Sequence, residues 1–204
     1  APTQNGGDAK VWFTQVNGIT MKKMSALVAE NSRGAATPLF LPQLEGERAP
    51  YWDPDLRGAF LGVSRQTLLP DFARAVYEGV AFAARQALET LKISADVDSD
   101  IISCGGGGFR SQAWTQIRAD VLNKPLQRLA SGEPGISGAV TLAAIGTGIY
   151  SNFEEASTAL SQYSAPNIPD PKQVEIYASV FEIYKDAIKA NANIGKRLTH
   201  LGEG

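Results

Sequence analysis

Cysteine and histidine are almost absent from this chain of 204 residues, which carries one of each, Cys104 and His200. A single cysteine excludes an internal disulfide framework and fits a reducing compartment. A lone histidine close to the C-terminus argues against a His-based triad, and no CxxC or HExxH metal arrangement can be built. An excess of one charge is lacking as well. Nineteen basic against 21 acidic residues leave a net charge of −2, with no basic run and no acidic tail. Neither nucleic acid nor an anionic membrane is therefore an expected partner. The longest apolar runs fall far short of the roughly 20 residues that a bilayer requires. The start, APTQNGGDAK, is polar and does not read as a signal peptide, so the expected location is cytoplasmic. It also lacks a methionine, which predicts a processed or excised piece.

What the chain does contain is apolar residues and glycine. At 44% hydrophobic it can bury about 70% of its unfolded surface, and its length suggests one large domain or one and a half. The most informative stretch is Ile101 to Leu122, IISCGGGGFRSQAWTQIRADVL. A short apolar run meets four glycines, Gly105 to Gly108, and a helical pattern opens at Ser111. Four glycines lose more backbone entropy on ordering than other residues. A chain tolerates them where something must approach the backbone. A helix N-terminus just beyond would aim free N–H groups at the occupant, and the simplest occupant is a nucleotide. On the glycines alone a plain tight turn stays open and is the commoner reading. The spacing is neither GxGxxG nor GxxxxGK[ST], so Rossmann and P-loop mechanics do not apply.

Along the rest of the chain, strands and helices alternate, which argues for an α/β domain. The pattern predicts strands at Val11–Val16, Leu39–Leu41, Ala59–Val63, around Ile101 and at Gln127–Leu129. It predicts helices at Met21–Ala29, from Asp71 through Leu91, from Ser111, over Ser137–Tyr150, and a last one carrying Val174, Tyr177, Phe181, Tyr184 and Ile188. A Pro-rich connection at Pro166, Pro169 and Pro171 precedes that last helix. The segment Gln43–Arg57 is rich in Pro, Gly and charge and reads as an exposed loop. Its carboxylates and arginines form a second candidate site, and Tyr51 and Trp52 favour a shaped loop over a floppy one. Cys104, ending an apolar run, reads as a small buried hydrophobe.

Leu39 to Leu61, LFLPQLEGERAPYWDPDLRGAFL, resembles the C-terminal domain of FGGY-type carbohydrate kinases, closest to the xylulokinase-like members. The resemblance continues through DFARAVYEGVAFAARQALETL, the glycine run and GISGAVTLAAIGTGIY. It covers roughly Thr37 to Tyr150 in family order and spacing; residues 1–36 match poorly and are expected to pack on the same domain. The resemblance implies an α/β, ribonuclease-H-like fold of the actin and sugar-kinase ATPase superfamily, with a mixed sheet flanked by helices. It implies ATP or ADP with Mg²⁺, and transfer of the γ-phosphoryl to a sugar hydroxyl, a pentulose such as xylulose by default. Gly106, Gly107 and Gly108 would lie at the nucleotide, Gly107 and Gly108 against the adenosine. Gln112 would reach the adenine edge, and Ser111 would cap the helix beside the same ligand. Arg48 occupies a place where glycerol kinase has an aromatic touching the substrate. The segment Gly138–Gly148 resembles the helix that contacts the partner domain.

Departures from the family matter as much. The N-terminal sugar-binding domain, with its DxGT-type turn and catalytic aspartate, is not in this chain, nor is the GT turn that should come shortly before its start. No residue here is expected to be catalytic or to ligate metal, and the chain reads as a nucleotide-binding half, inactive alone. A non-catalytic assembly module and an α/β enzyme binding another phosphate ligand are the rival readings. A homodimer stays open.

Overall fold

Helix α3, Leu69–Ala95, is the spine on which the other elements are laid. A computed structural model describes residues 6–96, 98–130 and 133–201; the first five residues of the polar start lie outside them. Residues 73–83 of α3 are buried without a break, so the helix is covered on every side rather than along one stripe. The stripe from Phe72 to Leu91 therefore understates the burial in the middle and overstates it at the end, where Leu91 is exposed. Pro70 in the first turn and Asp71, whose carboxylate accepts from the Leu68 N–H at 2.9 Å, start the helix.

Two N-terminal helices, α1 (Asp8–Val16) and α2 (Met21–Ala29), pack on α3. The strand expected at Val11–Val16 is thus a correction. Ala9, Lys10, Phe13 and Thr14 are its buried residues, a helical rather than alternating period, and a short apolar run cannot distinguish the two by itself. Thr20 caps α2, its hydroxyl accepting from the Lys23 N–H at 3.1 Å.

Strands β1 (Leu39–Leu41) and β2 (Ala59–Leu61) pair antiparallel, with Phe40 opposite Phe60. Strands β3 (Ile102–Cys104) and β4 (Leu126–Arg128) pair parallel, with Ser103 opposite Gln127. The domain is α/β with strands of both orientations, held in two separate two-stranded ladders. Cys104 is half-buried, and its thiol donates to the Gln127 carbonyl at 3.2 Å. Between β3 and β4 lies α4 (Gln112–Leu122); beyond β4 come α5 (Pro134–Gly146), α6 (Phe153–Leu160) and the long α7 (Pro171–Thr199). Helix α5 starts three residues before the expected Ser137, with Pro134 in its first turn. Of its small residues Thr141 and Ala144 are buried, α5 packing mainly on α6, while the larger Ile136, Val140 and Leu142 are exposed. Helix α6 carried no signal in the sequence reading.

The β1–β2 connection is not the solvated loop its composition suggests. Gln43, Glu47, Ala49 and Leu56 are buried, and Gln43 donates to the Tyr184 hydroxyl of α7 at 3.1 Å. Asn191 and Gly195 of the same helix lie against this loop, Asn191 donating to the Arg57 carbonyl at 2.7 Å. Aromatic contacts close the core, with Phe82 of α3 set against Tyr177, Phe181 and Tyr184 of α7 at 5.4 to 6.0 Å.

Candidate nucleotide site

The glycine run sits between two cavities, and its four members hold their places for different reasons. A Cβ on Gly105 would run into the Pro134 ring. Gly106 has φ +90, a conformation that L side chains rarely adopt. A Cβ on Gly108 would come within 2.6 Å of the Trp114 ring. Gly107 differs: a Cβ there meets nothing within 4 Å, so its backbone faces open space. Residues Gly107–Arg110 form a short 3-10 turn that delivers the chain to α4. Ser111 caps α4, its hydroxyl accepting from the Trp114 N–H at 3.4 Å.

The larger cavity, about 530 Å³, is bounded on one side by Gly107, Gly108, Ser111 and Gln112. Its other wall is α2, through Met21, Lys22, Ser25, Ala26 and Ala29, with Lys10 and Tyr77 between. Four of the five residues expected at a nucleotide thus share one cavity. Gly106 does not line it; it lines a smaller cavity of about 220 Å³ with Phe109, Arg128 and Ser164. Gln112 is exposed on the first turn of α4, with its amide free to turn into the larger cavity. Arg48 is exposed in the β1–β2 loop and lines neither cavity, so the structure does not bring it to the glycines.

The electrostatics of the larger cavity are one-sided. Lys10, Lys22 and Arg110 line it, and among the described residues no carboxylate does. Under the glycine turn, Lys10 Nζ lies 3.1 Å from the Trp114 ring centroid and the Arg118 guanidinium 3.7 Å from it. Burial first, and then the nearby Arg118 charge, push the Lys10 ammonium from its ordinary 10.5 down to about 7. Burial likewise draws Arg118 down to about 10. Trp114 Nε1 and Arg118 Nε are buried and have no hydrogen-bond partner among the described residues. Those two donors do not line the larger cavity; the excess positive charge of Lys10, Lys22 and Arg110 beside the N-terminus of α4 suits a ligand that brings acceptors and negative charge.

Sequence reasoning missed the α1 and α2 wall. Ser25, Ala26 and Ala29 are small residues at helical spacing, whereas a strand at 11–16 leaves Lys10 outside any element; the helix Asp8–Val16 takes it in. Among the described residues no group of three or more His, Cys, Asp or Glu side chains could hold a metal ion, and no helix is long and apolar enough to cross a membrane.

The fold is that of the sugar kinases of the actin-like ATPase class, the proteins on which this α/β domain superposes. A ligand-bound xylulose kinase from Lactobacillus acidophilus superposes with TM-score 0.83 at 29% identity, over 94% of this chain and 39% of that one. The chain belongs to the FGGY family of carbohydrate kinases: the profile of that family's C-terminal domain matches residues 7–147, which takes in α1 and α2. It is 36% identical over 172 residues to a xylulose kinase of Staphylococcus epidermidis, covering 82% of this chain and 34% of that protein. A xylulose kinase of Lactococcus lactis is 29% identical over 205 residues, 98% of this chain and 41% of that protein. The chain thus spans between a third and a half of the length of these relatives.

Proposed function

We propose that this chain is the nucleotide-binding part of an ATP-dependent sugar kinase. The whole enzyme would pass the γ-phosphoryl of ATP to a hydroxyl of a pentulose such as xylulose, and this part would be inactive alone. The carrying observation is the cavity that gathers Gly107, Gly108, Ser111 and Gln112 between α2 and the N-terminus of α4.

Each group has a task that its surroundings allow. The bare backbone at Gly107 lets the adenosine lie against the turn. Gln112 supplies an amide, both donor and acceptor, to the base edge. The α4 N–H groups and the exposed Lys22 and Arg110 offset phosphate charge at the mouth. Mg²⁺, when bound with the nucleotide, would screen the phosphate oxygens; with no acidic cluster to hold it among the described residues, it would ride on phosphates and water. Phosphoryl transfer rests on positioning and charge neutralisation around the γ-phosphate, and the base that deprotonates the sugar would come from the sugar-binding part. Arg48, apart from the nucleotide cavity, would face the sugar.

The test is calorimetric titration with MgADP of this chain and of Gly107→Val. A dissociation constant of about millimolar, roughly −4 kcal/mol, is expected for the unaltered chain. A Cβ at 107 meets nothing within 4 Å, so the valine would project into the space over the turn; binding should vanish while the melting temperature holds. Undiminished binding by a folded Gly107→Val chain would refute the placement.

A further inference from the structure

The three cations of the larger cavity sit at two levels. Lys22 is exposed, and the Arg110 side chain is 81% exposed and 3.4 Å from Glu133. Lys10 is only 5% exposed, yet it lines the same cavity. Among the described residues Lys10 has no carboxylate and no hydrogen-bond acceptor. What faces it is the Tyr77 ring of α3 at 5.3 Å and Trp114 and Arg118 of α4, with Lys22 and Arg110 on the same cavity. None of these carries negative charge.

A lysine this buried is ordinarily paired. The indole face offsets part of the desolvation but accepts no conventional hydrogen bond, so the amine keeps donors to spare. The cavity is the direction from which a partner can come. A polyphosphate brings several charges with their water, and such a group belongs at the open mouth beside Lys22 and Arg110. With Lys10 the cavity is lined by the buried Tyr77 and the half-buried Ala113, while Ala26 and Ala29 of α2 are exposed; small and aromatic surfaces suit a flat heteroaromatic ring. A purine edge offers ring-nitrogen acceptors of the kind lysine reads elsewhere.

We propose that Lys10 is a specificity-determining residue of this cavity, its Nζ donating a hydrogen bond to an acceptor on the edge of the bound purine base. The inference rests on the nucleotide reading of the cavity. It assigns base recognition jointly to α1 and to Gln112 at the start of α4, on opposite sides of the ring.

Calorimetric titrations of the 204-residue chain, of Lys10→Met and of Lys10→Gln, with MgADP and with adenosine, test it. Lys10→Met should weaken both ligands by about tenfold, the value of a hydrogen bond to a charged group at its lower end. Lys10→Gln, which keeps a donor, should recover part of that loss. Melting temperatures of both variants should match or exceed that of the unaltered chain, since neither loses an ion pair. A loss confined to MgADP would put Lys10 on the phosphates and overturn the base contact. Unchanged affinity for both ligands in Lys10→Met would overturn it too. Failure of the unaltered chain to bind either ligand would bring down the nucleotide reading itself, and this inference with it; in the two preceding outcomes that chain binds.

Discussion

The hydroxyl of Tyr177, on the last helix, donates to the Glu78 carboxylate at 2.9 Å across 99 residues of sequence. Glu78 is 1% exposed and also holds Arg74 at 2.9 Å and the Arg33 guanidinium. Arg74 in turn donates to the Tyr177 hydroxyl at 2.9 Å and to the Asn31 carbonyl. Burial and the Glu78 charge push the Tyr177 phenol well above its ordinary range, which keeps it a donor at any working pH. This network ties α3 to α7 and to the segment after α2.

Its removal should be costly. Glu78→Ala strands two arginines in a buried site and is expected to destabilise by about 3–5 kcal/mol. Tyr177→Phe, which removes one hydroxyl, should cost about 1–2 kcal/mol. The double variant should lose less than the sum, because the two share partners. Urea unfolding checks all three, and a Glu78→Ala cost below about 1 kcal/mol would show that the network is not closed in solution.

Neighbouring glycines should behave in opposite ways. Gly108→Ala drives a methyl into Trp114 and is expected to cost about 1–3 kcal/mol of stability. Gly107→Ala meets nothing and should leave unfolding almost unchanged, while weakening MgADP. Parallel melting curves and titrations decide it; equal stability losses at both positions would mean the turn is set differently.

Gly79→Ala puts helix propensity against packing. Alanine gains about 1 kcal/mol over glycine inside a helix. Here, however, the new methyl meets the Phe40 carbonyl of β1, an overpacking worth about 1–3 kcal/mol. We expect a net loss, read as a lower urea midpoint at unchanged slope. A higher midpoint would mean that α3 and β1 have room to separate.

Lys10 should leave a mark on the pH dependence of stability. Its folded value is lowered to about 7 from an ordinary 10.5. Between those values the unfolded chain binds more protons than the folded one, so stability rises with pH. The penalty is full below pH 7 and gone above 10.5. Relative to Lys10→Met, the unaltered chain should therefore gain stability from pH about 7 to about 10. A difference that stays flat across that window would show that the ammonium remains charged against the indole.

Much of the architecture was legible beforehand. Leu39–Leu41, Met21–Ala29 and the helix through Val76 and Val80 follow from apolar spacing, from proline beside the strand and in the first turn of the long helix, and from the Thr20 cap. Val11–Val16 was misread because six residues are too few to separate a helical period from an alternating one. The β1–β2 loop departs from its composition because composition reports polarity, whereas burial of Gln43 depends on α7 arriving from more than 100 residues away.

The candidate site divides along the same line. The glycines, the cap at Ser111 and Gln112 are contiguous, so the sequence by itself determined that a bare backbone turn would open a helix N-terminus. It also determined the family, through motifs in fixed order. Only the tertiary structure decided that Gly106 faces a different cavity from Gly107, because one φ angle turns the chain between them. Only it set Lys10 over Trp114, 104 residues away in sequence, because α1 and α4 both pack on α3. A local pattern is decided by neighbouring backbone geometry and side-chain period; a cavity is decided by which distant surfaces exclude water together.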